Sequence, residues 1–127
     1  MKVGNTPLVK LSDRLYGKLE AVNPGGSIKD RPVKYILDEY EKQGILEELK
    51  CKLAEENGYV ELNQFNNPLN IECHKNTTFE EIMNQKSEHI SAFILGTGTG
   101  GTLMGMAVGV QEWDMAMTRI IAVEPAE

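Results

Sequence analysis

One lysine in this sequence stands where an amine could take part in covalent chemistry. Lys29 follows a turn segment that contains proline and glycine, residues 23–26, and it precedes a predicted helix. A lysine amine that loses its proton can form a Schiff base with an aldehyde, and burial or nearby positive charge favours that loss. Taken alone, however, the run Lys29-Asp30-Arg31 is more typical of a solvated charge cluster, because charged side chains are rarely buried unpaired.

A glycine-rich turn in the second half of the chain could bind an anion. Residues 96–102 read Gly-Thr-Gly-Thr-Gly-Gly-Thr, after a short apolar run and before a predicted helix. Backbone N–H groups at a helix start carry partial positive charge, and glycine lets an anion approach them closely. Thr99 and Thr102 could add hydroxyl donors, which a turn that serves only packing would not need. The pattern therefore favours a phosphate site.

The identity of that anion is open at this point. The spacing of Gly96, Gly98 and Gly101 also matches the dinucleotide-binding fingerprint, and Glu124 ends the next predicted strand about where a ribose-binding acid would stand. Against this, the fingerprint normally opens a domain, whereas here little sequence follows the acid. A Rossmann-like nucleotide-binding module is thus an alternative.

Hydrophobic periodicity predicts the elements of the first half of the chain. Residues 15–22 alternate like a strand, and apolar residues from Val33 to Tyr40 recur at helical spacing, with Gly44 as a stop. A second helix is predicted over residues 46–53, and a second strand over residues 59–65. Lys29 would therefore lie between a strand and a helix.

The second half predicts an α/β arrangement around the glycine turn. Thr78 and Glu81 form a predicted capping box for a helix that buries Phe79, Ile82 and Met83. A buried strand over 92–95, a helix over 102–111 and a last strand over 119–123 then form a predicted parallel βαβ unit. The glycine turn lies at the carboxyl end of its first strand.

Composition and charge limit the class of protein. The chain has 127 residues, of which 41% are hydrophobic and 25% charged, so we expect one globular domain over residues 1–127. A net charge of −6 without a long basic run argues against a nucleic-acid partner. Neither a secretion signal nor an apolar run of membrane length is visible, so we expect a cytoplasmic protein. Cys73-His74 has no second ligand pair at zinc spacing, so no metal site is predicted.

Seven segments, taken in order, resemble cysteine synthase (O-acetylserine sulfhydrylase), and cystathionine β-synthase is similar over the same segments. They lie at residues 4–9, 18–20, 23–31, 63–70, 77–78, 96–102 and 122–127. Agreement of several motifs in one order is far more specific than any single motif. The resemblance implies an enzyme that depends on pyridoxal phosphate, built as a small parallel-sheet βαβ remnant of the fold type II, or tryptophan synthase β-like, fold.

The resemblance also implies roles for particular residues. Lys29 would hold pyridoxal phosphate as a Schiff base and move the substrate α-proton, and Gln64 matches a residue that lines the amino-acid substrate site. The implied phosphate-binding residues are Gly98, Thr99, Gly100, Gly101 and Thr102. The implied reaction is β-replacement, in which O-acetylserine, or serine in the second family, exchanges its leaving group, and sulfide adds to O-acetylserine to give cysteine and acetate.

The same resemblance implies a shortened catalytic domain. After residues 44–46 the family continues into a strand and a Thr-Ser-Gly-Asn-Thr-Gly loop that binds the substrate carboxylate, whereas this sequence passes directly to the helix predicted at Leu49. The family's C-terminal portion also has no counterpart. We therefore expect little turnover, and exposed strand edges and apolar faces that favour a homodimer or other self-association. A non-catalytic remnant that binds pyridoxal phosphate or another small phosphate is the second alternative.

A proline next to the lysine motif bears on local geometry. Pro32 disfavours helical backbone geometry at Arg31, so we expect the helix to begin late and Lys29 to lie just outside it.

Overall fold

The computed structural model describes residues 2–46, 62–124 and 126. In chain order the elements are β1 (Leu8–Ser12), β2 (Leu15–Lys18), a 3-10 helix (Glu20–Val22), α1 (Asp30–Lys42), α2 (Leu69–Cys73), a π-helical segment (His74–Phe79), α3 (Glu80–Gln85), β3 (Ala92–Gly96), α4 (Gly101–Glu112) and β4 (Arg119–Val123). In these residues, no helix is long and apolar enough to cross a membrane.

Two predictions fall wholly or partly on the residues between 46 and 62. The helix predicted over 46–53 lies outside the described residues apart from its first position. The strand predicted over 59–65 begins outside them, and its end is wrong, because residues 64–66 form a turn. Asn63 has a positive φ of 44°, and its carbonyl accepts the Asn67 N–H at 2.9 Å, which closes the chain on itself.

The first half begins with a hairpin that the sequence predicted only in part. β1 pairs with β2 in antiparallel register, with Leu8 opposite Lys18. The strand predicted over 15–22 ends at Lys18, and the 3-10 helix follows. Leu19 and Val22 are 43% and 54% exposed, so the alternation of apolar residues that predicted a longer strand does not mark a buried face.

Helix α1 confirms the helix predicted from Val33 to Tyr40, and Gly44 ends it with a φ of 73°. Lys29 lies at the N-cap, just outside the helix as expected. Arg31, in contrast, is helical, so that part of the expectation is wrong. Pro32 is only the third helical residue, where a backbone N–H would have no partner within the helix anyway.

The next helical segments run without a break from Leu69 to Gln85. The capping box predicted at Thr78 and Glu81 is therefore wrong, because the chain is already helical nine residues before Thr78. The predicted packing is nevertheless largely present, since Phe79 and Ile82 are buried and Met83 is half-buried against the same core.

The predicted βαβ unit is confirmed. β3 and β4 pair in parallel, from Ala92 opposite Arg119 to Gly96 opposite Val123, and α4 connects them. The main core is formed by buried residues of the helical segments, β3 and α4: Phe79, Ile82, Phe93 and Met106. The indole of Trp113 meets the Phe79 ring edge to face, with 5.6 Å between ring centroids.

The opposite face of the β3–β4 sheet is uncovered in the described part of the chain. Ile94, Ile121 and Val123 point to this face and are 60%, 40% and 49% exposed. Parallel sheets are normally covered on both faces. This agrees with the exposed apolar surface expected of a shortened domain, while self-association stays a prediction.

Three glycines let α4 lie directly on the helical segments. They stand four residues apart, at Gly101, Gly105 and Gly109, so they share one helix face. A Cβ at Gly109 would come within 2.5 Å of the Phe79 ring, and one at Gly105 within 2.7 Å of the Ile71 carbonyl oxygen. This close contact fixes the start of α4, and hence the glycine turn, against the segments from Leu69 onward.

Candidate functional site

The turn that carries Lys29 is braced by one buried side chain. The Asn23 amide nitrogen donates to the Ser27 carbonyl at 3.1 Å, and its oxygen accepts the Gly4 N–H at 2.9 Å. Gly26 adopts a φ of 77°, which few residues other than glycine adopt readily. Lys29 therefore leaves a fixed turn, with its backbone N–H bonded to the Ser27 hydroxyl at 3.1 Å and its side chain exposed.

The glycine turn has the form of an anion site. Gly100 is left-handed, with a φ of 77°, and it is the N-cap of α4 without any side-chain cap. Apart from the Gly101 N–H, which donates to Thr99 Oγ1 at 3.5 Å, the first N–H groups of the helix have no partner among the described residues. They remain, with the positive end of the helix dipole, for another partner. Around Gly98 and Gly100 the space that a Cβ would occupy is open to 4 Å within the described structure, which leaves room for an anion to approach the backbone.

The structure brings Lys29 to this turn. Lys29 Nζ lies 3.3 Å from Thr99 Oγ1, across 70 positions of sequence. Thr99 Oγ1 also accepts a hydrogen bond from the Asn70 amide at 3.1 Å. The Gly101 N–H also donates to Thr99 Oγ1, at 3.5 Å. Because all three neighbours donate to this oxygen, its own hydrogen has no acceptor among the described residues and can be donated to an anion.

Asn70 connects a third predicted site residue to the same place. It is 2% exposed, and its amide nitrogen donates both to Thr99 and, at 2.8 Å, to the carbonyl of Gln64. The Gln64 side chain itself is exposed in the turn after Asn63. Gly101 lies against Asn70 so closely that a Cβ there would come within 2.4 Å of the amide. Lys29, the glycine turn and the Gln64 backbone therefore form one connected network.

His74 holds the remaining threonine of the turn. Its Nε2 lies 3.2 Å from Thr102 Oγ1, and its Nδ1 lies 3.0 Å from Thr78 Oγ1. Burial, and secondly the positive charge of Arg31, lower the pKa of His74 to about 4, so the ring is neutral at pH 7.

Beneath the lysine motif lies a buried ion cluster centred on Arg31. The guanidinium binds Glu20 at 2.7 and 2.8 Å and Glu81 at 2.7 and 2.8 Å, so both contacts are bidentate. Burial alone would raise the pKa of Glu81, but hydrogen bonds from Arg31 and Lys18 outweigh it and bring the pKa to about 2. Through Glu81 and Glu20 the cluster joins α1 to α3 and to the 3-10 helix, and a hydrogen bond of 3.1 Å from Arg31 to Thr6 Oγ1 joins it to the residues before β1. The cluster thereby fixes the start of α1 two residues from Lys29.

The sequence did not predict Asn70 and His74 as site residues. They are four residues apart, as are Gly101 and Gly105, and each faces one of these glycines. Two polar residues at helical spacing, opposite two glycines at the same spacing, are the signal that could have identified them. In the described ranges no group of three His, Cys, Asp or Glu side chains could hold a metal ion.

The fold and the site together define a class of protein. It is an α/β domain in which a turn with the form of an anion site begins a helix and a lysine lies beside that turn. The family described as pyridoxal-phosphate dependent enzyme matches residues 44–127. The chain belongs to this family, whose cofactor is pyridoxal phosphate.

Curated relatives confirm the resemblance to cysteine synthase. The cysteine synthase of Aquifex aeolicus is 26% identical, with 98% of this chain and 61% of the relative covered. That of Staphylococcus aureus is 28% identical, with 97% and 63% covered. The chain thus spans about three fifths of these relatives. The Aquifex alignment runs over 200 positions, more than the 127 residues of this chain, so the relative has residues in that span without a counterpart here.

Solved structures confirm the fold type II architecture. The crystal structure of O-ureido-L-serine synthase superposes with a TM-score of 0.81 at 23% identity, covering 98% of this chain and 61% of that chain. A hydrogen sulfide-producing enzyme from Fusobacterium nucleatum gives a TM-score of 0.81 at 27% identity, covering 98% and 65%.

The residues present fit a phosphate-bearing cofactor. The helix start has no side-chain cap, two glycines of the turn face open space, and the Thr99 hydroxyl has a hydrogen to donate. These are the features of a site built for a ligand with several acceptor oxygens.

Proposed function

We propose that this chain binds pyridoxal phosphate, with the phosphate on residues 98–102 and the cofactor aldehyde on Lys29. We further propose that its chemistry is the β-replacement of the cysteine synthases, in which O-acetylserine and sulfide give cysteine and acetate. The observation that carries the proposal is the hydrogen bond of 3.3 Å between Lys29 Nζ and Thr99 Oγ1. An amine that reaches the phosphate turn is within reach of a small cofactor held there.

Lys29 supplies two functions in this proposal. Its Nζ would hold the cofactor aldehyde until the substrate amine displaces it, and the freed lysine amine would then accept the proton that leaves the substrate α-carbon. The bound cofactor supplies an electron sink for that carbon. The fixed turn before Lys29 and the Arg31 cluster after it orient the side chain, while the side chain itself is exposed and can move between these two tasks.

Gln64 is the proposed contact for the amino-acid substrate. Its side-chain amide can donate to a carboxylate, and its backbone is joined through Asn70 to Thr99. The proposed substrate residue is therefore positioned by the same side chain that positions the phosphate turn.

A second candidate function, cofactor binding with little turnover, is favoured by the part of the relatives that this chain lacks. The chain spans 61% of the Aquifex cysteine synthase, and the alignment contains positions that this chain lacks. Substrate positioning contributes a large share of enzymatic rate. A protein that keeps the cofactor contacts and lacks part of the substrate site would bind pyridoxal phosphate with little turnover. Family membership favours pyridoxal phosphate over a dinucleotide as the anion, although the fingerprint at Gly96, Gly98 and Gly101 fits both.

The experiment that tests the proposal measures covalent cofactor uptake. Purified protein is mixed with pyridoxal phosphate, its visible absorbance is recorded, and borohydride reduction followed by peptide mapping locates the label. We expect the label on Lys29 and its loss in Lys29→Ala. Lys34→Ala is the matched control, because Lys34 is also exposed, on the next turn of α1, and pairs with Asp38 away from the glycine turn.

Three outcomes separate the candidate functions. Equal uptake by wild type and Lys29→Ala would show that the Lys29 assignment is wrong. Uptake on Lys29 without sulfide-dependent cysteine formation would support the non-catalytic function. Binding of NAD in place of pyridoxal phosphate would support the Rossmann-like alternative.

A further inference from the structure

We propose that His74 is a positioning residue that directs the hydroxyl hydrogen of Thr102 toward an anion bound at the glycine turn. The inference rests on the proposed function, in which this turn binds the cofactor phosphate. It assigns a tautomer to His74, with the hydrogen on Nε2, and a direction to each hydroxyl in the chain from Thr78 through His74 to Thr102.

The three side chains form a continuous hydrogen-bonded path. Thr78 Oγ1 lies 3.0 Å from Nδ1 of His74, and Nε2 lies 3.2 Å from Thr102 Oγ1. Thr78 and His74 are 3% exposed, whereas Thr102 is only half-buried, as the second residue of α4. One end of the path is therefore sealed in the interior and the other end opens at the anion site.

The buried end of the path, at Thr78, determines which atoms donate and which accept. A neutral imidazole has one donor nitrogen and one acceptor nitrogen, so only two arrangements are available. If Nδ1 donated to Thr78, the Thr78 hydroxyl hydrogen would have no acceptor among the described residues. Leaving a buried donor unpaired costs about 1–3 kcal/mol. Thr78 therefore donates to Nδ1, and the ring hydrogen lies on Nε2.

At the other end of the path, the Thr102 hydroxyl then becomes a donor for the anion. Nε2–H donates to Thr102 Oγ1, so the threonine oxygen acts as acceptor toward the ring and its own hydrogen points elsewhere. The start of α4 offers backbone N–H groups in the same region, and a phosphate there would accept from both. In the opposite arrangement Thr102 would donate to the ring, and its oxygen lone pairs would face the phosphate.

The neutral state of His74 is the condition for this assignment. Burial lowers its pKa to about 4, so at pH 7 the ring carries one hydrogen and the choice of tautomer is meaningful. His74 is also held in place by packing, because Gly105 of α4 lies so near that a Cβ there would come within 2.6 Å of His74 Cβ.

The first test reads the tautomer directly, without any cofactor. The chain has two histidines, so ¹⁵N-labelled wild type and a His89→Gln variant suffice to assign the His74 ring nitrogens by NMR. We expect the hydrogen on Nε2 at pH 7, and we expect it to stay there in Thr78→Val, because valine offers no acceptor for a hydrogen on Nδ1. In that variant only the Nδ1 chemical shift should move, as its hydrogen bond is lost. A hydrogen on Nδ1 in wild type would overturn the proposal whatever the protein binds.

The second test uses two substitutions that each keep one half of the imidazole. In His74→Gln the side-chain amide can reach Thr102 as Nε2–H does, but it loses Thr78. In His74→Asn the shorter amide keeps the Thr78 contact and loses Thr102. We expect His74→Gln to bind pyridoxal phosphate and inorganic phosphate nearly as wild type does. We expect His74→Asn to lose roughly tenfold or more, as Thr102→Val does, because hydrogen bonds to charged groups are strong. Thr102→Ser should retain affinity.

A purely structural role predicts the reverse order. If His74 only stabilises the fold, phosphate affinity would follow the melting temperature of each variant, and His74→Gln, which leaves Thr78 unpaired, would lose at least as much affinity as His74→Asn. Equal affinity of the two variants would also overturn the proposal while leaving the phosphate site intact. If wild type binds neither pyridoxal phosphate nor inorganic phosphate, the proposed function fails and this inference fails with it.

Discussion

Lys29 Nζ and Thr99 Oγ1 lie 3.3 Å apart, although 70 positions of sequence separate them. The contact joins the start of α1 to the turn before α4. The buried Asn70 amide stabilises it by donating a hydrogen bond of 3.1 Å to Thr99 Oγ1. An amine from one half of the chain and a hydroxyl from the other are thus held at one point.

Removing the hydroxyl at this point should weaken cofactor binding. In Thr99→Val the donor to the anion is lost and the Asn70 amide loses a partner, so we expect roughly tenfold weaker binding of pyridoxal phosphate. The matched control is Thr97→Val. Its hydroxyl is buried without a partner in the described structure, so the methyl group should leave binding unchanged and stability equal or slightly higher. Absorbance titrations and thermal melts of both variants measure this, and equal affinity of Thr99→Val and wild type would contradict it.

Replacing the buried guanidinium should strongly destabilise the fold. In Arg31→Met the carboxylates of Glu20 and Glu81 lose their bidentate partner, and an uncompensated buried charge costs about 3–5 kcal/mol. Because both carboxylates keep some exposure, we expect a value near the lower end, measured by urea unfolding. Lys34→Met, an exposed position on the same helix, should change the free energy of unfolding by less than about 0.5 kcal/mol. Similar losses in both variants would show that the cluster contributes no more than a surface pair.

An added methyl group should lower stability at one glycine and phosphate affinity at another. In Gly109→Ala the Cβ meets the Phe79 ring at 2.5 Å, so we expect about 1–3 kcal/mol of destabilisation from overpacking. In Gly98→Ala the Cβ meets open space, so stability should change little while affinity for phosphate falls, because the methyl group occupies the approach to the backbone. Unchanged phosphate affinity in Gly98→Ala would show that the anion does not use this face of the turn.

Acid should destabilise the protein in a window set by His74. The folded state protonates this ring only below about pH 4, whereas an unfolded histidine protonates near pH 6.5. The unfolded state therefore binds more protons between these values, and stability falls as pH falls from 6.5 to 4, by about 3 kcal/mol from this group. Urea unfolding at several pH values measures the slope. His74→Gln should flatten it, and His89→Gln, at an exposed position, should not.

A second acid window should follow at lower pH. The pKa of Glu81 is about 2 in the folded state, below the value of about 4.3 for an unperturbed glutamate, so its contribution is present above that value and is lost as pH falls toward 2. In His74→Gln this lower window should remain. A variant with no pH dependence below 4.3 would show that Glu81 and Arg31 do not form a strong pair in solution.

The sequence predicted the βαβ unit and helix α1 correctly because both depend on local signals. An apolar run followed by glycines, and apolar residues at helical spacing before Gly44, depend on few distant contacts. The strand over 15–22 and the capping box at Thr78 failed for the opposite reason. Their local patterns were real, but tertiary contacts decided the outcome, since the chain is already helical before Thr78.

Within the candidate site, a physical argument predicted the glycine turn as a phosphate site, and the family resemblance predicted Lys29 and Gln64. Asn70 and His74 were not predicted, because their spacing becomes a signal only when it is compared with that of Gly101 and Gly105, and neither segment alone shows that the two will lie together. That pairing exists only once α4 is placed on the segments from Leu69 onward.

The contact between Phe79 and Trp113 provides the protein with an internal optical reporter. Trp113 is the only tryptophan of the chain, and it lies at the carboxyl end of the same helix whose amino end forms the glycine turn. Its indole is half exposed and meets the Phe79 ring at 5.6 Å between centroids. Fluorescence emission from this one side chain therefore reports whether α4 is seated, and unfolding of the site can be followed without attaching a dye.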